Sequence, residues 1–474
     1  MSDQTLRTTR LDHVVKRIEG HGEVSIFLRD DGTVSDAQFR VVEFRGFEKM
    51  VQGRMVWEMP QVTSRVCGIC PVSHHLASVK AIDDLLGVEP PPVGKMLREL
   101  LCLAGFVHDH ALHFFFLAGP DFLLGDDPPS RDLLGVLEAR PDLALRAVAL
   151  RKAGQAAVRI VGGQAGHPVA AIPGGMARGI TSAERDEMRG LVAGVVDDGL
   201  AAERLAREAT LRLLERETAP ERPMASLAQM GPACAFDVYD GGIIVADAGG
   251  STVERFEARD YRDHIAEAIL PHSYAKAPYL SAKGPVDGLY RVGPLARMNL
   301  AMLMPGPVSR ALLGEYRDEL GSNVQRRLAY HWARMIELVA VLERMAILLD
   351  DPSIVSEDVR VPVERRAGEG AAAVEAPRGT LIHRYVADAV GRVESAELIV
   401  ATTHNNAALN QAVLETVPDV VEGGRLAEDA VRRIELGIRA YDPCLSCATH
   451  EVGRLPLVVR AFAPDGALLA ERGA

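Results

Sequence analysis

Residues 64–83, SRVCGICPVSHHLASVKAID, and residues 438–450, IRAYDPCLSCATH, each contain a Cys-x-x-Cys pair. The pairs are Cys67 with Cys70 and Cys444 with Cys447, so almost the whole chain separates them. Thiolates are soft ligands that select zinc, iron, nickel or copper(I) over hard cations. Because the 474 residues include only six cysteines, two matched pairs favour one metal site held by four thiolates. Such a site would decide how the two chain ends meet in the fold.

Two other interpretations of the pairs stay open at this level. Structural zinc held by four thiolates needs no chemistry, but zinc pairs typically lie about 15–20 residues apart in a unit too small to fold alone. A thioredoxin-like dithiol would leave the second pair without a role. The surroundings carry ionisable residues that a structural site does not need: Glu19, Arg65, His74, Asp442 and His450. We expect the other two cysteines, Cys102 and Cys234, as small buried residues.

The charge and hydrophobicity of the chain exclude several classes of protein. Lys and Arg number 53 against 65 Asp and Glu, a net charge of −12, which argues against a basic nucleic-acid footprint and a polybasic membrane patch. The sequence contains no run of about 18 apolar residues that would predict a membrane span. The first 20 residues lack the apolar core of a signal peptide. We therefore expect a cytoplasmic protein with reduced thiols, no nucleic acid and no membrane span.

The hydrophobic pattern predicts a mainly α protein with small β elements, of the α+β class. Alternation around Asp30-Asp31-Gly32 predicts a β-hairpin over 20–45. Helical periodicity predicts helices over 76–118, broken at the prolines 90–92, and over 131–161, 183–217, 308–350 and 424–440. Shorter strand-like patterns lie at 236–257, 379–403 and 451–474, and 352–379 is predicted as a connection. We expect a large helical bundle core with an N-terminal β-hairpin or sheet.

Five segments of the chain resemble the large subunit of [NiFe]-hydrogenases. They are RIEGHGEV (17–24), FRGFEKMVQG (44–53), SRVCGICPVSHHLASVKAID (64–83), EAPRGTLIH (375–383) and IRAYDPCLSCATH (438–450). The resemblance runs from end to end and implies the large-subunit fold of that family. LSCATH (445–450), RVGPLARMN (291–299) and VEFRGFEK (42–49) are most similar to the cytoplasmic NAD-reducing, bidirectional group.

The resemblance implies a nickel–iron centre held by the four paired cysteines. By position, Cys67 and Cys444 would be terminal ligands on nickel, and Cys70 and Cys447 would bridge nickel to iron. The family's iron also carries carbonyl and cyanide ligands. The reaction implied is the reversible heterolytic cleavage of H2 to protons and electrons.

Polar residues around the centre are also implied by the resemblance. Glu19 would be the first proton relay beside Cys444, although an isolated Glu is more commonly a capping residue. Arg378 would lie over the two metals next to Pro377, held by Asp442 and Asp109. An Asp in an HDH segment such as that of Asp109 could equally lie on a solvated face.

The same resemblance implies two supporting ligands and a second metal. Thr402 would donate a hydrogen bond to a cyanide, and His74 would orient a bridging thiolate without binding metal. Glu48, the backbone carbonyl near Leu398 and His450 would bind Mg²⁺, or iron in some members. One carboxylate, one imidazole and waters would make an unusual but possible magnesium set.

Residues 1–450 are expected as one interwoven catalytic body, and residues 451–474 as an extension removed after His450 on maturation. An endopeptidase and nickel-loading proteins are the implied maturation partners. Two leftover cysteines are too few for an iron–sulfur cluster, and no dinucleotide or flavin site is expected on this chain. A small subunit with iron–sulfur clusters and a flavin- and NAD-binding diaphorase module are therefore implied. The alternatives are a sulfur-reducing or heterodisulfide-reductase-linked complex, or a metal-free relative of the quinone-site subunit of complex I.

Overall fold

The computed structural model describes residues 9–44, 46–124, 131–217, 220–422, 425–427, 429–449, 458–462 and 468–473. Within these ranges the α-helices are α1 Phe47–Met50, α2 Met59–Thr63, α3 Pro71–Leu86, α4 Pro92–Leu112, α5 Leu133–Ala139, α6 Pro141–Gly162, α7 Ser182–Ala193, α8 Val196–Arg216, α9 Tyr261–His264, α10 Gly284–Asp287, α11 Pro294–Leu300, α12 Pro307–Leu320, α13 Tyr330–Asp350, α14 Ala401–His404, α15 Asn406–Thr416, α16 Ala430–Ala440 and α17 Leu445–Ala448. A π-helical turn, His113–Ala118, continues α4.

Strands form several small sheets around the helices. They are β1 Thr9–Val14, β2 Gly22–Leu28, β3 Val34–Val41, β4 Ala171–Ile172, β5 Gly175–Met176, β6 Ala225–Met230, β7 Gly242–Ala246, β8 Thr252–Phe256, β9 Ile265–Ala268, β10 Ala277–Leu280, β11 Tyr290–Arg291, β12 Gly368–Ala376, β13 Gly379–Ala387, β14 Val393–Ile399, β15 Val421–Glu422, β16 Arg425–Leu426, β17 Val458–Phe462 and β18 Leu468–Gly473. The larger sheets have the orders β1-β2-β3, β11-β6-β7-β8 and β12-β13-β14. The predicted fold class is confirmed, because helices dominate and the sheets stay small.

The core is a helical bundle built around α4 and α13. Helix α4 packs on α6 and α13, and α13 also packs on α7, α8 and α12. The stretch Pro92–Asp121 is long and apolar enough to cross a membrane, but 72% of its most apolar window is buried inside the protein. That degree of burial is what a core helix shows.

The predicted N-terminal hairpin is confirmed. Strands β2 and β3 pair antiparallel, with Phe27 opposite Asp36, and β1 adds on the other side of β2. Within the chain-end pattern at 451–474, the described strands β17 and β18 pair antiparallel. The break at the prolines 90–92 separates α3 from α4, as predicted.

Three helices predicted as continuous are each divided in two, so those predictions were wrong about length. Residues 131–161 form α5 and α6, because Pro141 cannot continue a preceding helix but suits the first turn of the next. Residues 183–217 divide at Gly194 between α7 and α8. Residues 308–350 divide at a turn that begins at Gly321, after α12.

The prediction of a connection over 352–379 was wrong, because β12 occupies Gly368–Ala376. Its sequence, GEGAAAVEA, has low β propensity, yet it is buried between α3 and β13. A Cβ atom on Gly370 would lie only 2.3 Å from the carbonyl oxygen of Ala81. Small residues therefore let β12 approach α3 closely, and tertiary packing overrides the local preference.

Candidate metal centre

The two cysteine pairs meet in the core, although they come from opposite ends of the chain. Cys70 lies immediately before α3, and Cys444 immediately before α17, which contains Cys447. The Sγ atoms of all four cysteines lie within 4.8 Å of one another. Cys67 Sγ is 3.2 Å from Cys444 Sγ, and Cys70 Sγ is 3.5 Å from Cys447 Sγ. The convergence of the two pairs is thus a property of the fold.

A short parallel pairing holds the N-terminal segment against the second cysteine pair. Glu19 forms an isolated parallel β-bridge with Cys444, and the amide of Leu445 donates to the Glu19 carbonyl at 2.9 Å. The thiol of Cys444 lies 3.1 Å from Oε2 of Glu19, which also accepts from the amide of Ser446 at 2.9 Å. Backbone contacts thereby aim the Glu19 carboxylate at one sulfur of the cluster.

Arg378 lies buried between two carboxylates. Its Nη1 donates to Oδ2 of Asp109 at 2.8 Å, and its Nη2 to Oδ1 of Asp442 at 3.1 Å. Its Nε donates to the backbone carbonyl of Asp442 at 2.8 Å. Burial opposes the charge, but Asp109 and Asp442 raise the pKa of Arg378 well above its ordinary value. Asp109 is therefore a partner of Arg378, with 1% of its surface exposed, and does not lie on a solvated face.

Asp442 has a second cationic neighbour that the sequence interpretation missed. Arg334, on the buried helix α13, donates through Nη1 to Oδ2 of Asp442 at 3.1 Å. Burial raises the pKa of Asp442 to about 7, although Arg378 and Arg334 oppose the shift. The sequence signal for Arg334 was a charged residue inside YHWARMIELVAVL, a mostly apolar stretch of helix. Its partner on a different segment could not be read from that pattern.

Thr402 and His74 both contact elements that carry the cysteines. The amide of Cys444 donates to Oγ1 of Thr402 at 2.9 Å, which leaves the hydroxyl proton of Thr402 for another acceptor. His74 lies one turn into α3 after Cys70, and its Nδ1 is 3.2 Å from Nε2 of His383. Burial lowers the pKa of His74 to about 4, so its ring is neutral near pH 7.

Glu48 and Leu398 form a separate contact. The amide of Leu398 donates to Oε1 of Glu48 at 2.8 Å, which joins α1 to β14. His450, the third residue predicted for this site, lies outside the described residues. The contact between Glu48 and Leu398 is therefore established, and a metal ion bound there stays a prediction.

The two cysteines outside the pairs differ from each other. Cys102 is buried on α4 with 1% of its surface exposed, as expected, and burial raises the pKa of its thiol. Cys234 is only partly buried, so that expectation was wrong. It follows Ala233 in a turn where both residues have positive φ values, 52° and 56°, a turn that holds the side chain near the surface.

The residues around the four thiols suit a bound soft metal. Burial raises the pKa of Cys444 and Cys447 well above the ordinary value, so metal binding would have to displace their protons. Among the described residues, Nε2 of His74 and Oδ1 of Asp109 are buried without a hydrogen-bond partner. Buried polar groups without partners are rare unless an ion or ligand completes them. A cavity of about 60 Å³, lined by Cys70, Asp109 and Pro377 among others, adjoins the cluster.

Comparison with protein families gives a match to the nickel-dependent hydrogenase family over residues 45–126 and 247–450. Residues 13–44 match a family described as HoxL-like. The chain is 40% identical to the NAD-reducing hydrogenase HoxS subunit beta of Cupriavidus necator, over 97% of this chain and 98% of that one. It is 39% identical to a subunit of the F420-non-reducing hydrogenase of Methanothermobacter thermautotrophicus, over 92% and 94% of the two chains.

Comparison with solved structures agrees. The crystal structure of an NAD⁺-reducing [NiFe]-hydrogenase in the H2-reduced state superposes with a TM-score of 0.89 at 37% identity, covering 94% of this chain and 100% of that one. The Ni-Fe-Se hydrogenase of D. vulgaris Hildenborough has a TM-score of 0.75 at 24% identity over the same shares, which shows the fold alone. The predicted family is confirmed: the chain belongs to the nickel-dependent hydrogenases and is a large subunit of a [NiFe]-hydrogenase.

Proposed function

We propose that this subunit catalyses the reversible cleavage of H2 and passes the electrons, through a partner with iron–sulfur clusters, to NAD⁺ or NADP⁺. The observation that carries the proposal is the cluster of four buried thiols with the Glu19 carboxylate 3.1 Å from one of them. The cluster places four ligands for a soft metal next to a proton acceptor at hydrogen-bond distance, and heterolysis of H2 requires both.

The four thiols would divide into two roles. Cys67 and Cys444 would be terminal ligands on nickel, while Cys70 and Cys447 would bridge nickel and iron. When bound, the metal pair would supply an electron-rich site for polarising H2, with carbonyl and cyanide ligands on the iron. The cavity beside Cys70 and Pro377 offers room for a small gas molecule.

Glu19 would transfer the proton between the Cys444 sulfur and the solvent side of the protein. Its Oε2 contacts the Cys444 sulfur and is oriented by the amide of Ser446. A carboxylate at this distance can accept a proton from the thiol and release it on the other side without moving the backbone. Glu19 is only partly buried, which gives the proton a route toward solvent.

Arg378 would hold a fixed positive charge beside the metal pair. Asp109 and Asp442 fix the orientation of its guanidinium, so the charge needs no rearrangement during turnover. Thr402 would donate its free hydroxyl proton to a cyanide ligand. His74 would donate through Nε2 to a thiolate and orient it.

A magnesium ion bound by Glu48, the Leu398 carbonyl and His450 would join α1, β14 and the end of the catalytic body. Mg²⁺ prefers oxygen ligands and retains waters, which fits a site with one carboxylate and one backbone carbonyl. Iron could replace it with the same ligands.

Electrons would leave through another polypeptide. Four of the six cysteines belong to one cluster, and Cys102 and Cys234 cannot complete an iron–sulfur cluster by themselves. The relatives are themselves named as subunits. We propose two partners in the cytoplasm, a small subunit with iron–sulfur clusters and a diaphorase module that binds flavin and NAD. An endopeptidase would remove residues 451–474 after nickel-loading proteins have acted.

A second candidate differs only in the electron acceptor. The 39% identity to F420-non-reducing hydrogenases nearly equals the 40% identity to the NAD-reducing relative. The TM-score of 0.89 to an NAD⁺-reducing enzyme supports NAD⁺ first. A complex linked to sulfur or heterodisulfide reduction is the alternative.

Purification of the native complex would test both parts of the proposal. We expect about one nickel and one iron at the four-thiol site of each large subunit, in addition to cluster iron in the partner, and H2-dependent reduction of NAD⁺. Zinc in place of nickel would contradict the hydrogenase site. Nickel with H2 oxidation by a dye but no NAD⁺ reduction would support the second candidate.

A further inference from the structure

The segment RVGPLARMN (291–299) has no role in the site described so far, yet two of its residues contact the turn that carries Arg378. Pro377 and Arg378 form the two-residue turn of the β12–β13 hairpin. Gly293 precedes α11, and Arg297 lies one helical turn later, where its amide donates to the Gly293 carbonyl at 2.9 Å. Both residues therefore belong to the N-terminal end of one short helix.

The guanidinium of Arg297 holds the two peptide units that precede Arg378. Its Nη1 donates to the carbonyl of Ala376 at 3.1 Å, and its Nη2 donates to the carbonyl of Pro377 at 3.1 Å. The Pro377 carbonyl belongs to the planar peptide unit that also contains the amide nitrogen of Arg378. The hydrogen bond to this carbonyl therefore fixes the direction in which the backbone enters Arg378.

Gly293 lets the same helix end approach the next carbonyl of the turn. It has a φ of 96°, and a Cβ atom there would lie 2.6 Å from the carbonyl oxygen of Arg378. That distance is too short for any side chain, and the backbone conformation favours glycine. Three successive carbonyl groups of the turn, those of residues 376–378, therefore lie against the N-terminal end of α11.

Two buried carboxylates hold Arg297 in turn. Glu337 on α13 accepts from Nε at 2.5 Å and from Nη2 at 2.7 Å, and Glu375 on β12 accepts from Nη1 at 2.5 Å. All three side chains are fully buried. Together with the two carbonyls of the turn, these partners use every N–H group of the guanidinium. The ammonium group of a lysine could not reach all of them at once.

We propose that Arg297 is a positioning residue that fixes the turn between β12 and β13, and thereby the guanidinium of Arg378 beside the four thiols. Asp109 and Asp442 hold the guanidinium end of Arg378, whereas Arg297 holds its backbone end. A side chain fixed at both ends keeps its orientation without rearrangement during turnover. The inference rests on the proposed function, because Arg378 acts in the reaction only if the thiols bind the nickel–iron pair.

A double-mutant cycle in the native complex separates this role from packing. Arg297→Lys keeps the charge but loses the planar fork, and it should lower H2 oxidation about tenfold by displacing Arg378. Because the effect acts through Arg378, the same substitution in an Arg378→Lys background should lower the rate by less than about twofold further. The measurement is dye-linked H2 oxidation in the single and double variants.

Arg98→Lys is the matched control for the cycle. Arg98 is also fully buried, and it donates to the carboxylate of Asp83 and to two backbone carbonyls. It has no contact with the turn that carries Arg378 among the hydrogen bonds of the described residues. Any effect of Arg98→Lys should therefore be equally large in the wild type and in Arg378→Lys.

Infrared spectra of the carbonyl and cyanide ligands give a readout that does not depend on the rate. A guanidinium beside the cyanides changes their stretching frequencies through its charge and its hydrogen bonds. We expect Arg297→Lys to shift the cyanide bands in the same direction as Arg378→Lys does. Arg98→Lys should leave the bands unchanged.

Gly293→Ala reaches the same turn without changing a charge, and it decides the question if Arg297→Lys fails to fold or to load metal. The added methyl group should displace the Arg378 carbonyl, shift the cyanide bands and lower the rate about tenfold. Gly321→Ala is the matched control, because Gly321 has a φ of 89° but nothing within 4 Å of its Cβ position. It should change neither the bands nor the rate.

Two results would overturn the inference. One is a loss of rate from Arg297→Lys that is equally large in the wild type and in Arg378→Lys. The other is a set of cyanide bands that stays unchanged in both Arg297→Lys and Gly293→Ala. The absence of carbonyl and cyanide bands from the wild-type complex would instead contradict the proposed function, so the two failures are distinguishable.

Discussion

At the scale of single residues, Glu19 contacts the thiol cluster through one carboxylate oxygen. Oε2 lies 3.1 Å from Cys444 Sγ and accepts a backbone hydrogen bond from Ser446. That backbone bond survives if the carboxylate becomes an amide whose oxygen takes the same place. Substitution of Glu19 therefore separates proton transfer from the geometry of the site.

We predict that Glu19→Gln lowers H2 oxidation by roughly 100-fold or more, because an amide cannot accept and release a proton near pH 7. Nickel and iron content should stay at the wild-type level. The measurements are dye-linked H2 oxidation and metal analysis. Glu23→Gln, which alters a partly exposed ion pair with Arg40, is the control and should retain full activity. Full activity in Glu19→Gln would exclude Glu19 as the relay.

Arg378 offers a second test at this scale, because geometry and charge can be separated. Arg378→Lys keeps the positive charge but loses the planar fork that reaches both Asp109 and Asp442. We predict a decrease in H2 oxidation of roughly 10- to 100-fold with metal content retained. Arg384→Lys is the control and should have little effect, because Arg384 on β13 is buried but pairs with the more exposed carboxylates of Glu369 and Glu397. An equal rate in Arg378→Lys would show that charge alone suffices.

At the scale of elements, the site depends on how closely the N-terminal segment approaches α17. Gly20 follows Glu19, has a φ of 83°, and a Cβ atom there would lie 2.8 Å from Cβ of Leu445. Only glycine adopts this backbone without strain, and only a hydrogen atom fits the gap. The approach of Glu19 to Cys444 therefore depends on a residue that has no chemistry of its own.

Gly20→Ala should push the segment away from α17 and lower H2 oxidation about tenfold or more, since a misplacement of about 1 Å is enough for such a loss. The rate in the metal-loaded complex is the measurement. Gly53→Ala is a close control, because Gly53 has a φ of 81° but nothing within 4 Å of its Cβ position. It carries the same backbone strain without the clash. Equal losses in the two variants would mean that strain, not the contact, is responsible.

At the scale of the whole molecule, the interior contains many neutral histidines. Burial lowers the pKa of His75 to about 4, and of His331 and His404 to about 3. In the unfolded chain these rings titrate near pH 6.5. Because the pKa values of these rings are lower in the folded protein, the unfolded chain binds protons at higher pH than the folded protein does. The free energy of unfolding should therefore be highest above about pH 6.5 and fall as the pH decreases toward the folded values.

His331→Phe tests this linkage at one position. Neither ring nitrogen of His331 has a hydrogen-bond partner among the residues described, and the ring packs against His113 and Phe122. We predict that the variant gains roughly 2 kcal/mol relative to wild type between pH 7.5 and pH 5, because its unfolded chain loses one titrating site. Denaturant unfolding at both pH values measures the difference. The free energy of unfolding of Tyr316→Phe should depend on pH as that of the wild type does. The same pH dependence in His331→Phe would contradict the depressed pKa of His331.

Maturation also acts on the whole chain. If residues 451–474 are an extension, the large subunit of active complex should have an intact mass that ends at His450. A physical reason is that a tail that holds the second cysteine pair away from the first would leave the metal site open for loading. Mass spectrometry of nickel-loaded enzyme is the measurement. An active, nickel-loaded subunit that still ends at Ala474 would contradict the prediction.

Part of this fold and site could be predicted because the signal is local. Alternation of apolar and polar residues around an Asp-Gly turn predicts β2 and β3, and helical periodicity predicts most of the helices. Pro141 and Gly194 divided helices that periodicity alone joins. Strand β12 was missed because its small residues have no local preference for a strand, and its burial against α3 comes from packing.

The amino-acid sequence by itself determined the family, the four thiols and the residue types around them, because those are carried by motifs a few residues long. Only the tertiary structure decided that the pairs converge within 4.8 Å, that Arg334 joins Asp442, and that His383 and Tyr385 lie behind His74. These contacts join segments that are distant in the sequence. Their formation depends on how helices and strands pack around a common core, which no local pattern encodes.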